Sequence, residues 1–218
     1  GAAEGYFWKH KNVYSYIDAV ICPTAFMESK ISLNPVFRGK TTVLYNFTDA
    51  VEKKQVKKEN YVLYFGRYSA EKGMETILSA KDIAFVCAGV GPMEEELNQC
   101  SHIQNLGFKS GKELETLIRK ARCSVYPSIW YENCPFSVME SISYGTPVIG
   151  ADIGGIPELV EDGKTGFLFE PANSSEFVEK IKRLLTDDEL AAEMSENCLN
   201  KDFSSVSQYC EKLLAIYE

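Results

Sequence analysis

The stretch Tyr61-Val-Leu-Tyr-Phe-Gly-Arg-Tyr-Ser-Ala-Glu-Lys-Gly73 decides the fold. Its first five residues are apolar or aromatic, which suits a strand buried on both faces, and Gly66 ends the run. Two cations follow at Arg67 and Lys72, and residues 72–80 read as a helix. The same alternation continues toward the C-terminus, with strands expected at 83–88, 102–106, 123–126, 148–151 and 166–169. Helices are expected at about 93–99, 110–121 and 136–144, and from Asn173, where Phe177, Ile181, Leu184 and Leu185 recur at helical spacing. Ser110, with Glu113 three residues on, has the pattern of a capping box. Strands this continuously apolar leave no wet face. The expected class is therefore α/β, a Rossmann-like parallel sheet with helices on both faces.

Upstream the pattern changes. An aromatic, helix-like stretch (Tyr6 to Tyr16) precedes a strand (Ala19 to Cys22), a helix (Ala25 to Leu33) and a strand (Thr42 to Tyr45). Residues 51–60 are polar and charged and read as a linker. Two strand–helix units are too few for a doubly wound domain, so residues 1–50 read as the tail of another domain. Residues 61–202 form the main domain, and 203–218 a separate C-terminal helix. The chain starts with Gly1 rather than Met, as a fragment or processed chain would.

The 218 residues carry 31 acids against 23 bases, a net charge of −8. That balance argues against a nucleic-acid binder, which normally presents a basic face. No apolar run reaches the roughly 18 residues of a membrane span, and the N-terminus lacks a signal-peptide layout, so a cytoplasmic location is expected. Seven cysteines occur without a Cys-x-x-Cys pair, which suggests neither a disulfide framework nor a zinc site. Only His10 and His102 are present, and both read as structural.

Three features fall at the C-terminal ends of expected strands, where open parallel sheets bind ligands. In the first, Gly66 permits close backbone approach, Arg67 offers a planar fork and Lys72 a point charge. A phosphate site and a surface turn with two solvated cations fit that spacing equally well. The second, Tyr131-Glu-Asn-Cys-Pro-Phe-Ser-Val-Met-Glu140, separates two carboxylates by seven residues, one in a loop and one a turn inside a helix. Glu132 and Glu140 could hold hydroxyls of two different sugar rings, or act as ordinary helix acids. In the third, Ile149-Gly-Ala-Asp-Ile-Gly-Gly-Ile-Pro-Glu158, Gly154 and Gly155 leave room for a ligand or for a neighbouring backbone.

Taken with Ala88-Gly-Val-Gly-Pro92 and Asp162-Gly-Lys-Thr-Gly-Phe-Leu168, these motifs in this order resemble the donor-binding half of glycosyltransferase family 4, over about residues 55–200. Members are retaining GT-B enzymes that use nucleotide-diphosphate sugars, such as UDP or GDP sugars, often in polysaccharide biosynthesis. The resemblance implies that Arg67 and Lys72 contact the donor diphosphate, Glu132 the transferred sugar and Glu140 the ribose. It places Gly66, Gly89 and Gly91, and Pro135, Phe136 and Ser137, on the donor pocket, and Gly107-Phe-Lys109 at the base slot. Asn133-Cys-Pro135 stands where many members have glycines, and since Pro135 supplies no N–H, fewer or shifted sugar contacts are expected there. By the same resemblance residues 1–50 are a remnant of an acceptor-binding domain, and the last helix crosses back onto it.

The implied partners are a nucleotide-diphosphate sugar and an acceptor sugar or glycolipid, with no nucleic acid. Peripheral membrane association is implied for the full-length enzyme, at the inner face, and self-association of the fragment is expected if apolar residues such as Tyr6, Phe7, Trp8, Leu213, Leu214 and Ile216 are left uncovered. No cofactor or metal is expected, since Asp-x-Asp is absent and cations and helix N-termini would carry the diphosphate charge. A nicotinamide-dependent oxidoreductase is disfavoured, because Glu94 stands where the dinucleotide fingerprint needs a third small residue. A sugar phosphorylase needs a pyridoxal-bearing lysine region that is not identifiable here. A nucleotide-binding module that catalyses nothing by itself remains the alternative. The expected surface consequence is that residues 1–50 and the last helix cover each other's apolar faces.

Overall fold

Six strands share one all-parallel sheet in the order β5-β4-β3-β6-β7-β8, in a computed structural model that describes residues 1–48 and 52–217. They are β3 (Val62–Phe65), β4 (Phe85–Ala88), β5 (Ile103–Asn105), β6 (Cys123–Tyr126), β7 (Val148–Ala151) and β8 (Gly166–Phe169). The helices between and after them are α3 (Met74–Ser79), α4 (Glu94–Asn98), α5 (Gly111–Lys120), α6 (Phe136–Ser143), α7 (Ile156–Leu159), α8 (Ser174–Thr186), α9 (Asp188–Asn200) and α10 (Val206–Tyr217). Ahead of them lie α1 (Ala2–His10), α2 (Ala25–Ile31) and a small parallel pair, β1 (Val20–Cys22) and β2 (Thr41–Val43). The boundary expected at residues 50 and 51, with Asp49, lies outside the described residues.

Side chains alternate across the pleat, so β3 feeds both faces at once. Val62 and Tyr64 join a core with Met74, Ile77, Phe85 and Phe177, while Leu63 and Phe65 join Val138, Met139, Ile142 and Val148 on the other face. Each large apolar side chain buried in this way contributes about 1.5–3 kcal/mol. The strand order reverses direction between β3 and β6, and a ligand crevice opens at such a point.

Several local expectations change. The stretch Tyr6 to Tyr16 is broken, because Asn12 takes a left-handed conformation and Val13–Tyr16 forms a 3-10 turn. The helix expected at 72–80 splits into a 3-10 turn (Ala70–Lys72), Gly73 at φ +74° and α3. The Ser110 side chain makes no cap bond: Gly111 opens α5 at φ +56°, and Glu113 faces Lys109 at 3.8 Å instead. Helix α9 was not expected at all. The mutual cover between the N-terminal segment and α10 is narrow. Phe47 meets Tyr209 at 4.8 Å and Thr48 N–H reaches Ser204 O, yet Tyr6 is 73% exposed and Leu214 63%.

The buried ionisable groups predict an alkaline limit. Burial pushes the thiols of Cys87, Cys123 and Cys198 up from 9.0 to about 12. Their contribution to stability is complete below about pH 9 and is lost as pH rises toward 12, at about 1.4 kcal/mol per pH unit each. Lys58, whose Nζ donates to Arg119 O and Thr146 Oγ1, is pulled down from 10.5 to about 8 by burial. Its cost is complete below about pH 8 and is relieved as pH rises, so it opposes the thiols. Three thiols outweigh one lysine. Urea titrations at pH 9 and pH 10 should show stability falling, and a rise over that interval would contradict these assignments.

Candidate functional site

The crevice between β3 and β6 is built from the first two motifs. Gly66 follows β3 at φ +146°, a conformation that only glycine adopts readily. The exposed Arg67 is flanked by two anchored tyrosines: Tyr64 Oη donates to Arg67 O at 2.7 Å, and Tyr68 Oη to Asn105 Oδ1 at 3.0 Å. Burial raises both phenols, so they stay protonated and serve as donors. Lys72 closes the 3-10 turn, and Gly73 lies so near β6 that a Cβ there would sit 1.7 Å from Pro127 O. That close approach carries Lys72 across to the second motif. Its Nζ lies 2.6 Å from Glu132 Oε1.

Glu132 is held at both ends. Ser128 Oγ donates to the same Oε1 at 2.7 Å, and the Glu132 carbonyl accepts Gly155 N–H at 2.6 Å. A Cβ on Gly155 would lie 1.6 Å from Asn133 O, and one on Gly154 2.3 Å from Glu132 O. The glycine pair therefore admits a neighbouring backbone, one of the two roles that the sequence left open. Helix α6 begins after Pro135, whose carbonyl accepts the N–H groups of Val138 and Met139, so the N–H groups of Phe136 and Ser137 stand ahead of the first intrahelical bond. Hydroxyl bonds fasten it to β6, from Tyr126 Oη to Ser137 O at 2.8 Å and from Ser124 Oγ to Ser141 Oγ at 2.8 Å.

Two cavities result. One of about 140 Å³ is lined by Gly66, Arg67, Lys72, Ser128, Glu132, Pro135 and Ser137. The other, about 510 Å³, is lined by Gly66, Arg67, Gly89, Gly91, Phe108 and Lys109. Gly66 and Arg67 belong to both, so the two form one cleft. Ten of the thirteen residues expected from the sequence thus converge: Gly66, Arg67, Lys72, Glu132, Pro135, Ser137, Gly89, Gly91, Phe108 and Lys109. Gly89 and Gly91 turn their hydrogen-only sides to the backbones of Gly66 and Tyr68, so their smallness lets two loops meet.

Three expected residues lie outside these walls. Gly107, at φ +67°, accepts Gly89 N–H on its carbonyl, Phe136 sets its ring against Phe47 at 6.1 Å, and Glu140 is half-buried on α6. Ser128 and Tyr126 line the first cavity without having been singled out. Chemically, the cleft offers a guanidinium, an ammonium, helix-start N–H groups and one carboxylate. That set can hold a dianion beside a hydroxyl-bearing ring. Among the described residues, no three His, Cys, Asp or Glu side chains stand together as metal ligands, and no helix is long and apolar enough to cross a membrane.

Comparison with known proteins gives consistent matches. The family model described as glycosyl transferases group 1 matches residues 46–201. An uncharacterized glycosyltransferase of Methanocaldococcus jannaschii is 31% identical over 211 residues, spanning 91% of this chain and 57% of that protein. The alpha-D-kanosaminyltransferase of Streptomyces kanamyceticus is 32% identical over 173 residues, 72% of this chain and 45% of that protein. The chain thus spans about half the length of these relatives. Among solved structures, a TarM mutant of S. aureus in complex with Fondaparinux, alpha-GlcNAc-glycerol and UDP superposes with a TM-score of 0.81 at 22% identity, covering 96% of this chain and 46% of that one. HepE of Anabaena in complex with UDP-glucose superposes with a TM-score of 0.78 at 22% identity, covering 91% and 64%.

Proposed function

The chain belongs to the glycosyl transferases group 1 family, and from that premise we propose that it is the donor-binding part of a retaining glycosyltransferase. The reaction moves a sugar from a nucleotide-diphosphate sugar to a hydroxyl acceptor. One observation carries this reading: Arg67, Lys72, Glu132 and Ser137 meet in one cavity where the strand order reverses. The division into an N-terminal remnant and a donor domain is part of the same proposal, supported by the separate β1–β2 sheet.

Breaking the glycosidic bond leaves charge on the departing diphosphate. Arg67, Lys72 and the α6 N–H groups, already fixed before the reaction, would stabilise that charge more than the ground state. Lys72 then divides its protons between the diphosphate and Glu132. The Glu132 carboxylate, aligned by Ser128, accepts hydrogen bonds from hydroxyls of the sugar, and the acceptor hydroxyl attacks on the face that the diphosphate leaves, its proton passing to the departing diphosphate oxygen. We assign to these residues the binding of the donor, the step that Arg67, Lys72 and Glu132 together serve.

The test is a pair of isosteric changes. Glu132→Gln should weaken a nucleotide sugar such as UDP-glucose and leave UDP unaffected, whereas Glu140→Gln should weaken both alike. The reverse pattern would reject the assignment. Ser128→Ala removes a neutral donor to a charged acceptor, a bond of about 1.5–3 kcal/mol, while Lys72 still holds the carboxylate. Calorimetry should show a roughly tenfold loss confined to the nucleotide sugar.

A further inference from the structure

Glu158, the last residue of the Gly-Gly-Ile-Pro-Glu turn, makes contacts that the cleft does not explain. Its Oε2 accepts Ala25 N–H at 2.9 Å and the Tyr45 hydroxyl at 2.6 Å, and its Oε1 accepts Phe26 N–H at 2.7 Å. The partners lie 113 to 133 residues away in sequence. The same N-terminal segments then grip the loop that carries Glu132. Thr24 Oγ1 donates to Asn133 Oδ1 at 3.1 Å, Asn46 Nδ2 donates to Cys134 O at 2.9 Å, and the Phe26 ring packs against Tyr131, tilted by 53° with centroids 4.9 Å apart. On its far side the loop rests on Gly155, three residues before Glu158.

We infer that Glu158 is a positioning residue: it fastens residues 24–26 and 45 against the loop of residues 131–134 and thereby sets where Glu132 presents its carboxylate. The loop is clamped between the N-terminal segment and the 154–158 turn, and Glu158 is the charged pin joining those two jaws. A carboxylate accepting two backbone N–H groups and a hydroxyl gives the strong, charge-assisted kind of bond. Without it the Thr24 and Asn46 contacts lose the frame that aims them. Glu158 touches neither cavity wall, so its effect reaches the sugar only through the loop. The ligand side of this inference rests on the proposed role of Glu132; the loop side does not.

Two measurements separate these sides. Without ligand, hydrogen exchange of residues 131–134 should speed up in Glu158→Ala, while the amides of β3 to β8 keep wild-type rates. By calorimetry, Glu158→Ala should lose about tenfold in affinity for UDP-glucose and less than about twofold for UDP, the signature of a displaced sugar contact. Tyr45→Phe removes a single bond, and Glu158→Gln keeps one oxygen acceptor, so both should fall between Glu158→Ala and wild type in each measurement. Unchanged exchange in the 131–134 loop, or equal losses for UDP and UDP-glucose, would overturn the inference. If wild type binds neither ligand, the proposed function fails, and the exchange measurement alone still decides whether Glu158 pins the loop.

Discussion

Lys72→Ala is expected to cut affinity for a nucleoside diphosphate about 100-fold while leaving affinity for the bare nucleoside nearly unchanged. The lysine does two things at once. In the proposed site it would supply a charged donor to the diphosphate, an interaction of about 1.5–3 kcal/mol. It also pairs with Glu132, whose Oε1 lies 2.6 Å from Nζ in the cavity proposed to take up the diphosphate charge. Removing it loses the cation and leaves a carboxylate, still held by Ser128, facing the incoming phosphate oxygens. Arg67→Ala loses only a cation, with no carboxylate left behind, and should cost about tenfold. The double variant Lys72→Ala with Glu132→Gln should recover part of the loss, because the unpaired charge is gone. Calorimetry with UDP, GDP and their nucleosides reads each comparison. Equal losses for nucleoside and diphosphate would mean that Lys72 acts on folding or on the base slot.

Gly155→Ala should be more damaging than its chemistry suggests. The backbone there, at φ −90°, accepts any residue, so the obstacle is space alone. A methyl group would lie 1.6 Å from Asn133 O and 2.7 Å from Thr24 Cγ2, and the first of these is backbone. The loop must move, which also stretches the 2.6 Å bond from Gly155 N–H to Glu132 O. Overpacking of this kind costs about 1–3 kcal/mol, and a backbone clash lies at or above the top of that range. Urea unfolding should register the loss, and UDP-glucose binding should fall with it. Gly163→Ala provides the comparison: Gly163 also lies in a turn, at φ +78°, but a Cβ there meets nothing within 4 Å. It should cost about 1 kcal/mol and leave binding intact. Wild-type affinity in Gly155→Ala would show that the loop is not held as described.

The parallel sheet was legible because its strands are short apolar runs, several closed by glycine, and burial on both faces leaves no other reading for Val62 to Phe65. The cations and Glu132 were legible as motifs, but their meeting was not. It depends on Gly73 lying against Pro127 and on Gly155 lying against Asn133, contacts between residues far apart in the chain. Ser128 gave no signal, since four residues of irregular loop carry no periodicity. Glu158 gave no signal of its own, since its partners precede it by more than 100 residues. Helix α9 could have been found: Asp187 accepts Leu190 N–H as its cap, and Ala191, Met194 and Cys198 recur on one buried face. With only Asp187 between them, α8 and α9 present no glycine or proline to mark the boundary. The capping box at Ser110 misled because Gly111, the first residue of α5, is left-handed and the Ser110 side chain makes no cap bond.

The most direct test is a crystal structure of the chain soaked with UDP or, if UDP does not bind, with GDP. The diphosphate should lie between Arg67 and Lys72, its oxygens about 2.7–2.9 Å from their nitrogens. The base should rest along the larger cavity against Gly89, Gly91 and Phe108. A diphosphate bound instead in the basic cleft beside Lys57, Lys58 and Arg122, or absent from both places at saturating nucleotide, would contradict the account.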